Sequence, residues 1–304
     1  MQLVLGTAQL GLNYGITNSD GKPKLEQSLE IIKYALDNGI NVFDTARAYG
    51  DSEHIIGLAK QKLLEQDIKN EMNIITKLLP LDNLDSDTSK ENIYKMVDDS
   101  LNTSLEKLNT DVIDSLLLHR FHHFHNKTVW NYLLQKRENG IIKELGVSVY
   151  YVSEAIEALK NQDIKHIQLP INILDQQWFC DEFLELVKTR NDVIIHCRSI
   201  LLQGILVSSP DKWPKIENVD PTEYVDKLNN LVEKFGFNNR LELCFSYIKS
   251  IDWIDGLLVG VDNIFQFEQN IKLFGVRRLN IGEINTVRNV FKDVSEILLN
   301  PSLW

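Results

Sequence analysis

Cysteine is scarce: Cys180, Cys197 and Cys244 are few, widely spaced and odd in number. They form no CxxC pair, so neither a disulfide framework nor a zinc ribbon is supported. Long apolar runs are also missing, and nothing approaches the roughly 20 residues that span a bilayer. Met1 leads straight into Gln2-Leu3-Val4-Leu5-Gly6, without a basic segment and a following apolar signal core. Together these absences predict a soluble, reducing, cytoplasmic setting. There is no surplus of cations either. Lys+Arg 32 against Asp+Glu 43 gives a formal charge of −11, which disfavours nonspecific binding to nucleic acid or an anionic membrane. A small molecule is the expected partner, and the balance leaves the oligomeric state open. Finally, no GxGxxG follows the first apolar run, so an open dinucleotide-binding sheet lacks its fingerprint.

What is present is alternation. With 304 residues and a hydrophobic fraction of 43%, the chain suits one large α/β barrel or two small domains. Short apolar strands are expected at Leu3–Leu5, Ile40–Phe43, Met72–Lys77, Val112–Leu118, Glu144–Val149, His166–Leu169, Val193–Cys197 and Gly256–Val259. Amphipathic helices are expected between them at 25–37, 52–66 (with Ser52 as N-cap), 90–108, 128–139, 153–160 and 177–189. Further helices follow at 222–235, 240–250, 263–274 and 282–299. Asn38-Gly39 stops the first of these helices, and a polar loop occupies 18–24. Strict β-then-α order implies parallel strands, and eight of them close more naturally into a single-domain (β/α)8 TIM barrel over residues 1–304 than into an open sheet. The stretch from Gly204 to Pro221 holds Pro210, Pro214 and Pro221 and is too long for a simple connector.

In such a barrel the C-terminal strand ends share one mouth. The second strand ends in Asp44-Thr45-Ala46-Arg47-Ala48-Tyr49-Gly50, the third in Lys77 and the fourth in His119. An acid alone would raise a nearby phenol above its usual pKa of about 10; a neighbouring cation is needed to lower it. Lys77, held by Asp44, would ease release of the Tyr49 proton to a carbonyl oxygen, with His119 orienting that oxygen or assisting transfer. Such a site suits reduction of an aldehyde or ketone with hydride from a cofactor on the other face.

These motifs resemble the aldo-keto reductases, and the resemblance runs along nearly the whole chain. It rests on Leu5-Gly6-Thr7-Ala8, Asp44-Thr45-Ala46-x-x-Tyr49-Gly50, Thr76-Lys77, Leu117-Leu118-His119 and Gly146-Val147-Ser148. It continues in Gln168 with Asn172, Ser199 followed by Leu202-Gln203-Gly204, and Gly260 with Asn270. The resemblance implies NAD(P)H-dependent carbonyl reduction, with Tyr49 as acid supported by Asp44, Lys77 and His119. It implies that Ser148, Gln168 and Asn172 hold the nicotinamide carboxamide or its surroundings, and that Ser199, Leu201 and Gly204 contact the pyrophosphate. Gly6, Thr7 and Ala8 at the first strand, and Gly260, Asp262, Gln266 and Asn270 at the eighth, complete the implied cofactor groove.

The chain departs from many relatives at three places. Arg198 stands where an aromatic residue often stacks on nicotinamide; it could stack through its guanidinium plane or bind phosphate. The segment 260–270 lacks the cations that hold the 2′-phosphate of NADPH, which gives weight to NADH. Little sequence precedes the first strand, so a hairpin plugging the barrel bottom is expected to be absent. The Arg-Ser-x-Leu-x-Gln-Gly wording at 198–204 looks like a bacterial branch of the family linked to sugar metabolism.

The substrate pocket is expected to draw on Tyr14, Arg47, His122, Tyr150 and Trp213, a mixture suited to a hydroxylated aldehyde or sugar. Trp213 is placed to fold over a bound cofactor from the long loop. The run from His119 through His122, His123 and His125 offers neither H-E-x-x-H nor a carboxylate partner, so these histidines are read as loop residues and no metal is assigned. His196 is expected to be a hydrogen-bonded core histidine. Two competing functions remain: a nucleotide-binding scaffold or sensor without turnover, and a metal-dependent barrel hydrolase using the histidine run.

Overall fold

The structure, a computed structural model, describes residues 1–15, 21–65, 71–85 and 87–304. Eight strands are present: β1 (Gln2–Gly6), β2 (Val42–Asp44), β3 (Asn73–Leu78), β4 (Ile113–Leu118), β5 (Ile142–Ser148), β6 (Ile164–Pro170), β7 (Ile194–Arg198) and β8 (Gly256–Gly260). They form a closed barrel in sequence order, and β1 pairs in parallel with β8 from Gln2↔Gly256 to Gly6↔Gly260. The eight-stranded (β/α)8 barrel expected from alternation is therefore observed. Among the described residues no helix is long and apolar enough to cross a membrane.

Strand side chains alternate between two apolar layers, as the period of two demands. Val4, Val42, Ile75, Leu117 and Leu258 point into the barrel and form their own small cluster. Their neighbours, such as Leu5, Phe43, Ile74, Leu116 and Val259, face outward against the helices in one large core. Lower in the interior sit two buried histidines, His166 from β6 and His196 from β7, with ring centroids 4.5 Å apart. Small residues make room for them. A Cβ on Gly256 would meet the His196 ring at 2.4 Å, and one on Gly146 would meet the His166 carbonyl oxygen at 2.1 Å.

Several boundaries differ from expectation, each for a local reason. Ser52 lies inside the helix Ser52–Glu65; its hydroxyl is buried against those of Thr7 (2.6 Å) and Thr45 (2.8 Å), so it ties loops together and does not cap. The helix foreseen over 177–189 divides at Cys180, whose extended backbone separates a 3₁₀ turn, Gln177–Phe179, from the helix Asp181–Thr189. The last helix also divides, into Ile281–Val290 and Glu296–Leu299: buried Phe291 leaves helical geometry and Ser295 is extended. Residues 18–20 of the polar loop, and Gln66 at the end of its expected helix, lie outside the described residues. Asn38-Gly39 ends the helix Leu25–Asp37 as foreseen, with Gly39 at φ 75°.

The fit around Gly146 is testable. Gly146→Ala must displace the β6 backbone, and overpacking of this kind costs about 1–3 kcal/mol. The thermal midpoint is expected to fall by several degrees; an unchanged midpoint would show that the barrel yields there at no cost.

Candidate active site

Asp44 ends β2 and Lys77 lies in β3, so parallel pairing brings both to the same mouth. Both side chains are almost fully buried. The Lys77 Nζ donates to Asp44 Oδ1 (2.8 Å), Asp44 Oδ2 (2.7 Å) and the Thr45 carbonyl (3.0 Å). An ammonium has three donors, and all three are engaged. Gln168 from β6 adds a fourth contact, donating from Nε2 to Asp44 Oδ2 at 2.7 Å. A barrel-spanning knot thus joins three strands at one carboxylate.

Tyr49 stands over this knot. Its ring centroid is 5.0 Å from Lys77 Nζ and 5.7 Å from the His119 ring, which meets it edge-on at 87°. Among the described residues its hydroxyl has no hydrogen-bond partner. The loop that carries it is locked by two glycines. A Cβ on Gly11 would sit 1.9 Å from the Tyr49 carbonyl oxygen, and one on Gly50, at φ +57°, would sit 2.5 Å from the Gly11 carbonyl oxygen. Only glycine allows these two backbones to touch.

The electrostatics differ from expectation in one respect. The Tyr49 phenol is held above its ordinary value, by burial first and by Asp44 second; the cation opposing them is Arg198. Lys77 offers the phenol no hydrogen bond, because its three donors are taken by Asp44 and the Thr45 carbonyl. Burial pulls the Lys77 ammonium itself downward, against the opposing pull of Asp44. Tyr49 is accordingly a neutral phenol that retains its proton. Burial, with help from Lys77 and Arg198, lowers His119 to about 3, so its imidazole is neutral near pH 7.

The mouth opens into a cavity of about 490 Å³. Asp44, Tyr49, Tyr14 and Gln168 line its inner end, and it continues past Arg198, Ser199, Leu201 and Gly204 to Gly260, Asp262, Gln266 and Asn270. Gly6 and Ala8 form its near wall. Of the residues expected in a cofactor groove, Thr7, Ser148 and Asn172 are buried but do not line it. Thr7 donates instead to the Asp44 carbonyl, and the Asn172 side chain accepts from the Leu174 amide in a turn. Gln9, Gln203, Val207, Ser208 and Gln269 line the cavity without having been foreseen. Gln269 had a signal, since 262, 266 and 269 follow helical spacing. Gln9 had none; its amide packs over Gly260.

The expected substrate pocket is only partly assembled. Tyr14 lines the cavity. Arg47 is paired with buried Glu53 at 3.2 Å, and Glu53 also accepts from the Thr76 hydroxyl, so Arg47 braces the scaffold. Tyr150 borders a neighbouring cavity of about 350 Å³, with Tyr151, Phe291 and Asn300. Trp213 is buried against Tyr224 and does not reach over the groove; Gly204, Val207 and Ser208 are what the long loop contributes. His122 is exposed and packs on His123. His123 is buried and its Nε2 accepts from the Leu81 amide, while His125 meets Glu157 at the surface. Asp82, His122 and His123 do bring ligand atoms within 4.8 Å of one another, but Asp82 also pairs with Arg120. His196 is buried as expected, yet neither ring nitrogen has a hydrogen-bond partner among the described residues.

A single-domain parallel barrel with an Asp–Lys–Tyr–His mouth and a long groove defines the class. The chain belongs to the aldo/keto reductase family, whose model matches residues 2–292. It is 32% identical over 151 residues to D-arabinose 1-dehydrogenase of Saccharomyces cerevisiae, covering 49% of this chain and 42% of that protein. It is 30% identical over 148 residues to methylglyoxal reductase DkgB of Escherichia coli O157:H7, covering 46% and 51%. The matches thus span about half the length of these curated relatives. The fold is similar to that of an aldo-keto reductase from Bacillus halodurans in its holo form, with TM-score 0.72 at 21% identity over 98% of this chain and 95% of that one.

The buried histidines make a pH prediction. His119 is lowered to about 3, His123 and His196 to about 4, and His166 well below its usual value, burial being the first cause in each. Unfolded histidine titrates near 6.5, so below that pH the unfolded chain binds more protons than the folded one. Stability is therefore expected to fall as pH drops from about 6.5 to 5, where carboxylates scarcely titrate. Urea midpoints measured between pH 7.5 and 5 would show it; a flat series would contradict the neutral, buried assignment.

Proposed function

We propose that this protein reduces a small aldehyde, ketone or sugar-like carbonyl with a nicotinamide nucleotide, using Tyr49 as proton donor. One observation carries the reading: a proton-retaining phenol faces the cavity beside a neutral imidazole and above a closed Asp44–Lys77 pair. The groove fits the nucleotide in two respects. The Gln168 Oε1 is buried and has no partner among the described residues, an acceptor ready for an amide donor, and Gly6 leaves the near wall without a side chain. Gln168 would meet the carboxamide, Ser199, Leu201 and Gly204 the pyrophosphate, and Asp262, Gln266 and Asn270 the adenosine end. When bound, the reduced nicotinamide supplies the hydride to the carbonyl carbon.

The chain's own groups do the rest. Tyr49 Oη gives its proton to the carbonyl oxygen as the alcohol forms, and the phenolate regains a proton from solvent. His119, neutral, orients the oxygen. Asp44 and Lys77 fix the floor beneath the ring. Among the described residues lining the groove, Arg198 is the only Lys or Arg, and none lies near Asp262 and Gln266. That favours NADH, since a 2′-phosphate would find no cation among the described residues there and would face Asp262. The names of the relatives, an arabinose dehydrogenase and a methylglyoxal reductase, support small hydroxylated or dicarbonyl substrates.

Tyr49→Phe is expected to bind NADH as wild type does, by quenching of tryptophan fluorescence, while carbonyl reduction drops about 100- to 10,000-fold. NADH is expected to bind more tightly than NADPH. Binding without turnover in the wild type would favour the scaffold reading, and binding of neither nucleotide would refute the reductase.

A further inference from the structure

In a chain of net charge −11, one cation at the mouth has no acid paired with it among the described residues. Lys77 is closed on Asp44 and Arg47 on Glu53. Arg198, at the end of β7, makes no ion pair with any described carboxylate. It is held by packing: Nη2 donates to the Val149 carbonyl at 3.2 Å, Nη1 lies 3.4 Å from the Ser199 hydroxyl, and the guanidinium sits 4.5 Å over the Tyr150 ring. A guanidinium carries five N–H donors, and these contacts engage two of them. The group is therefore oriented by its surroundings and partly buried on the wall of the cavity, with no described carboxylate paired to it.

Resting on the reductase reading above, we propose that Arg198 determines specificity by binding the carboxylate or phosphate of a small carbonyl substrate whose reacting oxygen lies at Tyr49. Location supports this. Arg198 lines the same cavity as Asp44, Tyr49 and Tyr14 and lies over the Tyr150 ring, and its charge bears on Tyr49, His119, Lys77 and Tyr14. A nicotinamide ring offers no anion there, and a pyrophosphate is separated from that ring by a ribose. An anion reaching both Arg198 and the vicinity of Tyr49 then belongs to the substrate. The planar fork of Arg198 suits bidentate recognition of either a carboxylate or a phosphate. The substrate class is a short 2-oxo acid or a phosphorylated hydroxyaldehyde.

Two matched pairs separate the anions: glyoxylate against glycolaldehyde for carboxylate, and glyceraldehyde 3-phosphate against glyceraldehyde for phosphate. The readout is the anionic-to-neutral ratio of kcat/KM, in which differences in aldehyde hydration cancel between variants. For at least one pair that ratio is expected to fall at least about tenfold in Arg198→Met, whatever happens to the absolute rates, and to recover in part in Arg198→Lys. Circular dichroism confirms that each variant is folded, and calorimetric titration with oxalate and inorganic phosphate gives a readout independent of turnover. At least one of these anions is expected to bind wild type about tenfold more tightly than Arg198→Met. Unchanged ratios with equal anion affinities would overturn the proposal. So would weakened NADH binding with unchanged ratios, which would assign Arg198 to the cofactor. If the wild type reduces none of the four carbonyls, the anion titration still decides the role of Arg198, while the nucleotide titration separately decides the reductase reading.

Discussion

The buried ion pair between Asp44 and Lys77 is the constraint on which the mouth of this barrel depends. A charge taken out of water is tolerated only when paired and hydrogen-bonded, and this pair meets that condition with a matched set of donors and acceptors. Lys77 gives all three ammonium protons to Asp44 and the Thr45 carbonyl, while Gln168 reaches across from β6 to the same carboxylate. The strand carrying Asp44 has only three residues, so its end is held more by these side-chain contacts than by ladder length. Thr7 adds to this by donating to the Asp44 carbonyl and joining Ser52.

The closed pair sits among buried groups, and their states follow from that burial and from the fixed charges around them. Tyr49 keeps its proton because burial and the Asp44 carboxylate oppose a phenolate, and His119 stays neutral because burial and three cations, Lys77, Arg198 and Arg120, oppose an imidazolium. In the proposed reduction, a neutral donor beside a neutral imidazole would hand a proton to an oxygen that gains charge only during reaction. Arg198 is the exception to this neutrality. It is the one described Lys or Arg on the groove wall, and among the described residues it is the cation that pulls the Tyr49 phenol downward.

Much of this was legible in the sequence. Eight short apolar runs, each followed by a helical pattern, specify a parallel closed barrel, because helical connections force parallel strands and the count suits closure. Asp44, Tyr49, Lys77 and His119 were legible as a group because each sits at or just beyond a strand end, where the barrel gathers side chains. Residues whose roles depend on long-range packing were not. Trp213 reads as a mobile aromatic lid from its proline-rich loop but is buried against Tyr224. Arg47 reads as a pocket cation but is claimed by Glu53, a residue whose burial no local pattern announces. Whether Lys77 would perturb Tyr49 turned on the number of donors it had left, which is a property of distances and not of spacing.

The most direct test of the account is a double-mutant cycle on Asp44 and Lys77, with stability measured by urea unfolding for Asp44→Asn, Lys77→Met and the pair together. Removing either partner alone leaves a buried charge unmatched and is predicted to cost about 3–5 kcal/mol. The double variant is predicted to be clearly more stable than the sum of the two losses, because it strands neither charge. Additive losses, with no coupling between the two positions, would contradict the claim that this pair holds the mouth of the barrel together.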